Sequence, residues 1–387
     1  MKLATYQDGS RDGHLVVVSR DLCTAVFANT QATRLQQLLD DWNFVAPQLH
    51  DLYLTLNHGK SRHAFAFDPA LCLAPLPRAA SWAWQAFDDD TPGSANQPAL
   101  RAGAGDDMRG PRGELDQPPE RGVTRVAAGV AVFTGELAMG ASPAQALEAI
   151  RLLGLYSRWS LADVDAAPGS RARSDLNAHL TPHWAPVLVT PDEAGGAWSS
   201  GRLDMALQLQ WHSGKKRQGP PVTAPGRNQR WHFGQLLAWA ARHRRVRGGA
   251  VVGCDWLSEA VPQDSGSLID GPPQSLADSA SLDIVGRDGL SLFDRLCPAF
   301  TAGPAQRGSI VQATSPGLPA APSETSDAAP AAGSDDAASS PGSSASHIAA
   351  ATLDGAAEAT PDATVAAAAK GLRGGTRKRT IGPRHPS

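Results

Sequence analysis

At Thr301 the chain changes character. Beyond it Ala, Ser, Pro and Gly predominate, no Lys or Arg occurs between Arg307 and Lys370, and the end is the basic stretch "KGLRGGTRKRTIGPRHPS". Such a composition cannot bury enough apolar surface to offset the entropy of ordering the chain. Residues 301–387 are therefore expected to form a disordered, low-complexity tail, and whatever folds must be built from the residues before them. That length suits one or two ordinary domains. The hydrophobic share of 42% is a globular value, but 38 glycines and 30 prolines place a good deal of loop in the whole.

The folded part opens on two short strand-like runs, "KLATYQ" and "HLVVVS", separated by "DGSRDG", whose Asp-Gly pairs suit a tight hairpin. In the next stretch Leu35, Leu38, Leu39, Trp42 and Phe44 fall near helical spacing, and Pro47 is expected to interrupt the helix. Residues 1–70 thus read as a small N-terminal β/α domain. "LCLAPLPRA" then opens a second domain, residues 71–300, with an extended, proline-marked strand. Residues 88–119 have few large apolar side chains and many turn formers, and read as a long polar loop. Order resumes with the strand "VAAGVAVF" and the helix "SPAQALEAIRLLGLY", which has Ser142 as its cap and Pro143 in its first turn. Further strands are read at "HWAPVLVT", "MALQLQWHSG", "GAVVGCDWL" and "SLDIVG", with one more helix in "WHFGQLLAWAARHRRVRGG". The fold class is α+β and β-rich.

Several function classes lack support. Cys23, Cys72, Cys254 and Cys297 are far apart and show no CxxC spacing, which argues against a zinc site or a disulfide framework and suggests a reduced, cytoplasmic protein. The apolar run Leu15 to Val18 is too short for a signal-peptide core, and no run approaches a membrane span. A net charge of -3 argues against a globally basic nucleic-acid binder. The local basic runs "GKKR" and "RHRRVR" read more simply as a hairpin turn and as cations at a helix C-terminus. "GAGDDMRG" lacks the third glycine of a dinucleotide loop, and no Gly-x-Ser-x-Gly or Cys/His pair supports covalent catalysis.

The order of "MKLATYQDGSRDGHLVVVSRD", "TRLQQLLDDWNF", "FDPALCLAPLPRA", "VAVFTGELAMGASPAQALEAIRLL", "APVLVTPDE", "FGQLLAWAARHRRVRGGAVVG" and "GLSLF" resembles the fumarylacetoacetate hydrolase family, in its bacterial form with a small N-terminal domain. The resemblance spans most of residues 1–300 and implies a mixed β-roll that binds Mg²⁺ or another divalent cation. It also implies an enzyme that hydrolyses C–C bonds in β-diketo or 2-oxo acids, and assembly as a homodimer or as a heterodimer with a paralogue. The family's Glu-x-Glu pair on the strand before the Thr-Gly turn falls here on Ala127 and Gly129, and its Asp falls on Arg158. Three carboxylates have thus become two neutral residues and one guanidinium, and a hard cation wants several carboxylate oxygens at once.

The family's His and Glu general-base pair also has no counterpart, since no His lies between His63 and His179. A family Lys falls on His179. The expectation is a divergent copy that binds no metal and has lost its activity, a pseudoenzyme in which Arg158 and His179 are the candidate substrate-binding residues. Arg158 would hold a carboxylate by its guanidinium fork; the plainer alternative is a surface arginine. His179 and His183, flanking Pro182 in "HLTPH", read as structural rather than metal-ligating for want of a third ligand.

Because the tail holds almost no bulky apolar residues, its removal should take away little core. Limited proteolysis is expected to yield a stable fragment ending near Phe300; a tail as resistant as the rest of the chain would contradict this reading.

Overall fold

The computed structural model describes residues 1–29, 31–87, 96–115, 123–161, 180–262, 277–286 and 288–300, all within one unit spanning Met1–Gln312. The tail and His179 lie outside the described residues.

The opening runs form the expected hairpin. β1 (Lys2–Tyr6) and β2 (His14–Val18) pair antiparallel from Lys2↔Val18 to Tyr6↔His14, and Gly9 and Gly13 take positive φ in the turn, a conformation glycine adopts without steric cost. β3 (Thr24–Phe27) follows, and then α1 (Leu35–Asp40) and α2 (Trp42–Asn57). Pro47 does not interrupt α2 but lies inside it. Its ring removes the bond to the Asn43 carbonyl, and the buried row Val45, Leu49, Tyr53 and Leu56 carries the helix past it. β4 (Phe65–Ala66) pairs with β3. The strands of the N-terminal segment belong to the same sheet as those of the second.

The reading of residues 88–119 as one long loop is corrected in its described part. After β5 (Ser81–Gln85), Leu100–Gly103 forms β6 and pairs with β5, and Arg112–Glu114 forms β7. Ladder bonds here outweigh a composition poor in large apolar residues, because neighbouring strands supply the pairing.

A second correction concerns the helix expected to run to Tyr156. After β8 (Val123–Thr134), α3 comprises only Pro143–Glu148, capped by Ser142 as expected: its Oγ accepts from the Gln145 N–H, and the Gln145 side chain accepts from the Ser142 N–H. Ile150–Leu161 is instead the strand β9, paired antiparallel with β8 along its length. A run as uniformly apolar as Ile150–Tyr156 fits a strand buried on both faces as well as a buried helix. The ladder with β8 decides between them.

The remaining strands are β10 (His183–Trp184), β11 (Val187–Val189), β12 (Trp198–Ser199), β13 (Arg202–Leu203), β14 (Ala206–Ser213), β15 (Lys216–Pro225), β16 (Ala250–Ala260), β17 (Ser279–Ile284) and β18 (Cys297–Ala299). A fourth α-helix, α4 (Phe233–Ala240), precedes β16. Gly214 turns the β14–β15 hairpin at φ 56, so "GKKR" is a hairpin turn, as expected. The main sheet runs β4-β3-β2-β1-β11-β9-β8-β16-β5-β6 with β10 beside β9, and a second sheet runs β15-β14-β17-β18-β7.

The main sheet is covered on both faces. On one, Leu3, Val17, Phe133, Leu152 and Tyr156 share a core with α1 and α2. On the other, Val130, Val132, Leu153 and Leu155 pack with α3, α4 and the second sheet. Leu155 is fully buried in that second core. Leu155→Ala should cost about 2–5 kcal/mol through lost contacts and the cavity left behind; an unchanged unfolding midpoint in denaturant would refute this placement.

Candidate functional site

The three central strands bring the family-matched positions together. Ala127 and Gly129 alternate along β8 and so point to one face. Across the ladder Ala127 faces Arg158 and Gly129 faces Tyr156; on the other side Gly129 faces Asp255 of β16. The shared face is the one that packs on α1 and α2, since Tyr156 packs against Trp82 and Trp184 there. The sequence reading that these positions share one site is therefore consistent with the register.

What occupies the site is a buried ion pair. Arg158, only 5% exposed, donates from Nη2 to Oδ2 of Asp255 at 2.5 Å, and Asp255 is equally buried. The Tyr156 hydroxyl donates to Oδ1 of the same carboxylate at 2.7 Å. Burial, and then the adjacent Asp255 carboxylate, push the Tyr156 hydroxyl well above the ordinary phenol range, which keeps it protonated as a donor. The guanidinium lies over the Trp84 ring at 4.2 Å from its centroid, a cation–π contact strengthened by the absence of water. Arg158 is thus not the surface arginine of the plainer reading. The group put forward as a carboxylate binder already holds a carboxylate of the protein itself.

Two glycines make the arrangement possible. A Cβ on Gly129 would overlap the carbonyl oxygen of Cys254, and a Cβ on Gly253 would press on the Tyr156 hydroxyl and the Trp82 ring. At Gly129 the chain cannot carry the carboxylate that the family has there unless β16 moves away. A divalent cation therefore does not fit the donor set: Ala127, Gly129 and a guanidinium offer no carboxylate oxygen, and Asp255 is committed to Arg158 and Tyr156. Among the described residues no group of three or more His, Cys, Asp or Glu side chains could hold a metal ion. His183 is buried on β10, beside Ser157, and no such group includes it.

A cavity of about 140 Å³ lies against Asp255, walled by Gln85, Phe87, Gln229, Trp231 and Trp256. Asp255, Tyr156 and Trp84 were not singled out from the sequence. A signal was present nonetheless: Asp255 in "GAVVGCDWL" and Arg158 in "LLGLYSRWSL" are lone charges in apolar strands, and a charge buried in a sheet needs a partner.

Removing one member of such a pair leaves the other charged and dry, at a cost of about 3–5 kcal/mol. Arg158→Met and Asp255→Asn should each lower the unfolding midpoint, and the double variant should be more stable than the sum of the two losses implies. Additive losses in chemical denaturation would mean that the two side chains do not act together.

Residues 1–78 match the model of the fumarylacetoacetase N-terminal domain 2. No curated protein matches the sequence. Among solved structures, the maleylpyruvate hydrolase of Sphingobium sp. SYK-6 is 14% identical, with a TM-score of 0.53 over 78% of this chain and 100% of that one. The same enzyme has been solved with manganese(II) and pyruvate, at 15% identity and the same TM-score and coverage. The fumarylacetoacetate hydrolase of Exiguobacterium antarcticum is 16% identical, with a TM-score of 0.52 over 78% of this chain and 99% of that one. The first 78 residues of this chain thus match a fumarylacetoacetase-type N-terminal domain, and the chain carries the fold of the fumarylacetoacetate hydrolase family.

Proposed function

We propose that this chain keeps the fold of a metal-dependent C–C hydrolase of diketo or 2-oxo acids without that activity: a pseudoenzyme whose central charge pair stands where its relatives hold a cation. The observation that carries the reading is the Arg158–Asp255 pair, buried against Trp84 beside the two matched positions Ala127 and Gly129. Asp255 and Arg158 neutralise one another, so the pair offers a divalent ion no net negative charge, where a hard cation wants several carboxylate oxygens at once. The Asp255 carboxylate at the centre is held by two donors.

The hydrolytic step also lacks its proton acceptor. Each oxygen of Asp255 accepts from a group of the protein, the guanidinium or the phenol, an arrangement that holds the carboxylate as an ion-pair partner rather than offering it as a general base. Tyr156, held protonated by burial and by Asp255, cannot serve as the base either. The chemistry left to the site is structural: the pair ties β9 to β16 across the unsubstituted backbone of Gly129. Assembly as a homodimer or with an intact paralogue, which the resemblance implies, belongs to this proposal.

Two measurements test it. Calorimetry of the full chain with Mg²⁺ and Mn²⁺ should show no saturable heat, and a product assay with an acylpyruvate should show no cleavage with or without either ion. Metal-stimulated cleavage by the unmodified chain would overturn the reading. The strand geometry adds a stricter expectation: installing Ala127→Glu, Gly129→Glu and Arg158→Asp should destabilise the protein rather than restore a site, since Gly129 has no room for a side chain.

A further inference from the structure

Away from the central pair, a cleft of about 930 Å³ lies between the β1–β2 turn, the segment leading into β5, and the segment leading into β7. Its volume is at the upper end of what small-molecule sites occupy. The floor is made of buried groups, among them Cys72, Ala74, Met108 and His183.

Four arginines line it from separate parts of the chain: Arg11 on the hairpin turn, Arg78 before β5, and Arg109 and Arg112 at the approach to β7. Two are anchored by carboxylates. Arg78 holds both carboxylate oxygens of Asp12, and Arg109 lies 2.9 Å from the Asp107 carboxylate. A guanidinium has five N–H donors, so an arginine fixed by one carboxylate still presents donors along its other edge, and its side chain has already lost much of its rotamer freedom. The other two, Arg11 and Arg112, make no ion pair among the described residues. Asp106 and Asp107 also reach the cleft beside its four guanidiniums, while Asp12, which holds Arg78, and Asp294, within electrostatic reach of Arg112, lie outside its lining. Gathering like charges around one concave surface raises the energy of the free protein, and an anion bound among them lowers it.

We propose that this cleft is a binding site for a small molecule carrying two or more phosphoryl or carboxylate groups, with Arg11 and Arg112 gripping the anionic groups and Arg78 and Arg109 as pre-set donors on either side. Guanidinium forks suit both kinds of anion bidentately. The site is independent of the Arg158–Asp255 pair, shares no residue with it, and requires no metal. A molecule with a single anionic group satisfies only one of the two unpaired arginines and binds more weakly. Asp106, facing the same space, disfavours it further.

The full chain titrated by calorimetry at low salt with pyrophosphate, citrate and inorganic phosphate tests the assignment. Saturable binding of pyrophosphate or citrate, tighter than that of phosphate and weakened by added salt, is expected; preference between the first two tells a phosphoryl from a carboxylate ligand. Arg11→Ala with Arg112→Ala should weaken that binding roughly tenfold or more with the melting temperature little changed, because both side chains are exposed. Arg217→Ala, on the β14–β15 turn, should leave it untouched. Absence of saturable binding by either polyanion, or binding that survives the double substitution, would overturn the proposal. So would tighter binding of a single-stranded oligonucleotide, which would make the cleft part of a nucleic-acid surface.

Discussion

The close approach of β9, β8 and β16 is the constraint on which the structure depends. Gly129, Gly154 and Gly253 sit where a single added carbon would run into the neighbouring strand, a leucine side chain or a buried hydroxyl. Their lack of a side chain lets Phe133, Tyr156, Trp82 and Trp184 pack edge to face on one side of the sheet. It also leaves the space that the Tyr156 hydroxyl and the Asp255 carboxylate share. The buried ion pair is a consequence of that packing: once β16 lies against the bare backbone of Gly129, Asp255 can reach over it to Arg158.

Charge explains why such a centre differs from a metal site built on the same strands. A metal site gathers carboxylates and lets a hard cation neutralise them. Here the positive charge is covalently part of the protein, its neutralisation takes one carboxylate, and the remaining polar atom is a phenol. The centre is satisfied from within. Taking two charges out of water is expensive, and their mutual attraction with the Trp84 face and the Tyr156 bond offsets that cost only while all four groups remain in place. The outer surface obeys a different logic at the arginine-lined cleft, where guanidiniums held by Asp12 and Asp107 stand beside two that make no ion pair among the described residues.

Local chemistry was legible wherever a few consecutive residues settle it. The Asp-Gly turn between β1 and β2, the Ser142 cap with Gln145 three positions on, and the Gly214 turn each depend on φ values or bonds within one short segment. Pairing was not legible in the same way. Ile150–Tyr156 is apolar enough for either a helix or a strand, and Leu100–Gly103 polar enough for a loop; in both cases a neighbouring strand supplies the ladder that decides. No helix among the described residues is long and apolar enough to cross a membrane, in keeping with the short apolar runs of the sequence.

For the central site, the sequence by itself determined which side chains are present: Ala127, Gly129 and Arg158 are read directly from residue identity. That Arg158 is buried, and that its partner is Asp255, 97 positions away, only the tertiary structure decided. The register of β16 on β8 is interrupted by an irregularity between Asp255 and Leu257, and a one-residue slip in a strand turns a side chain to the opposite face. No pattern within either strand encodes which face Asp255 takes, because that depends on how two strands distant in the chain are held side by side.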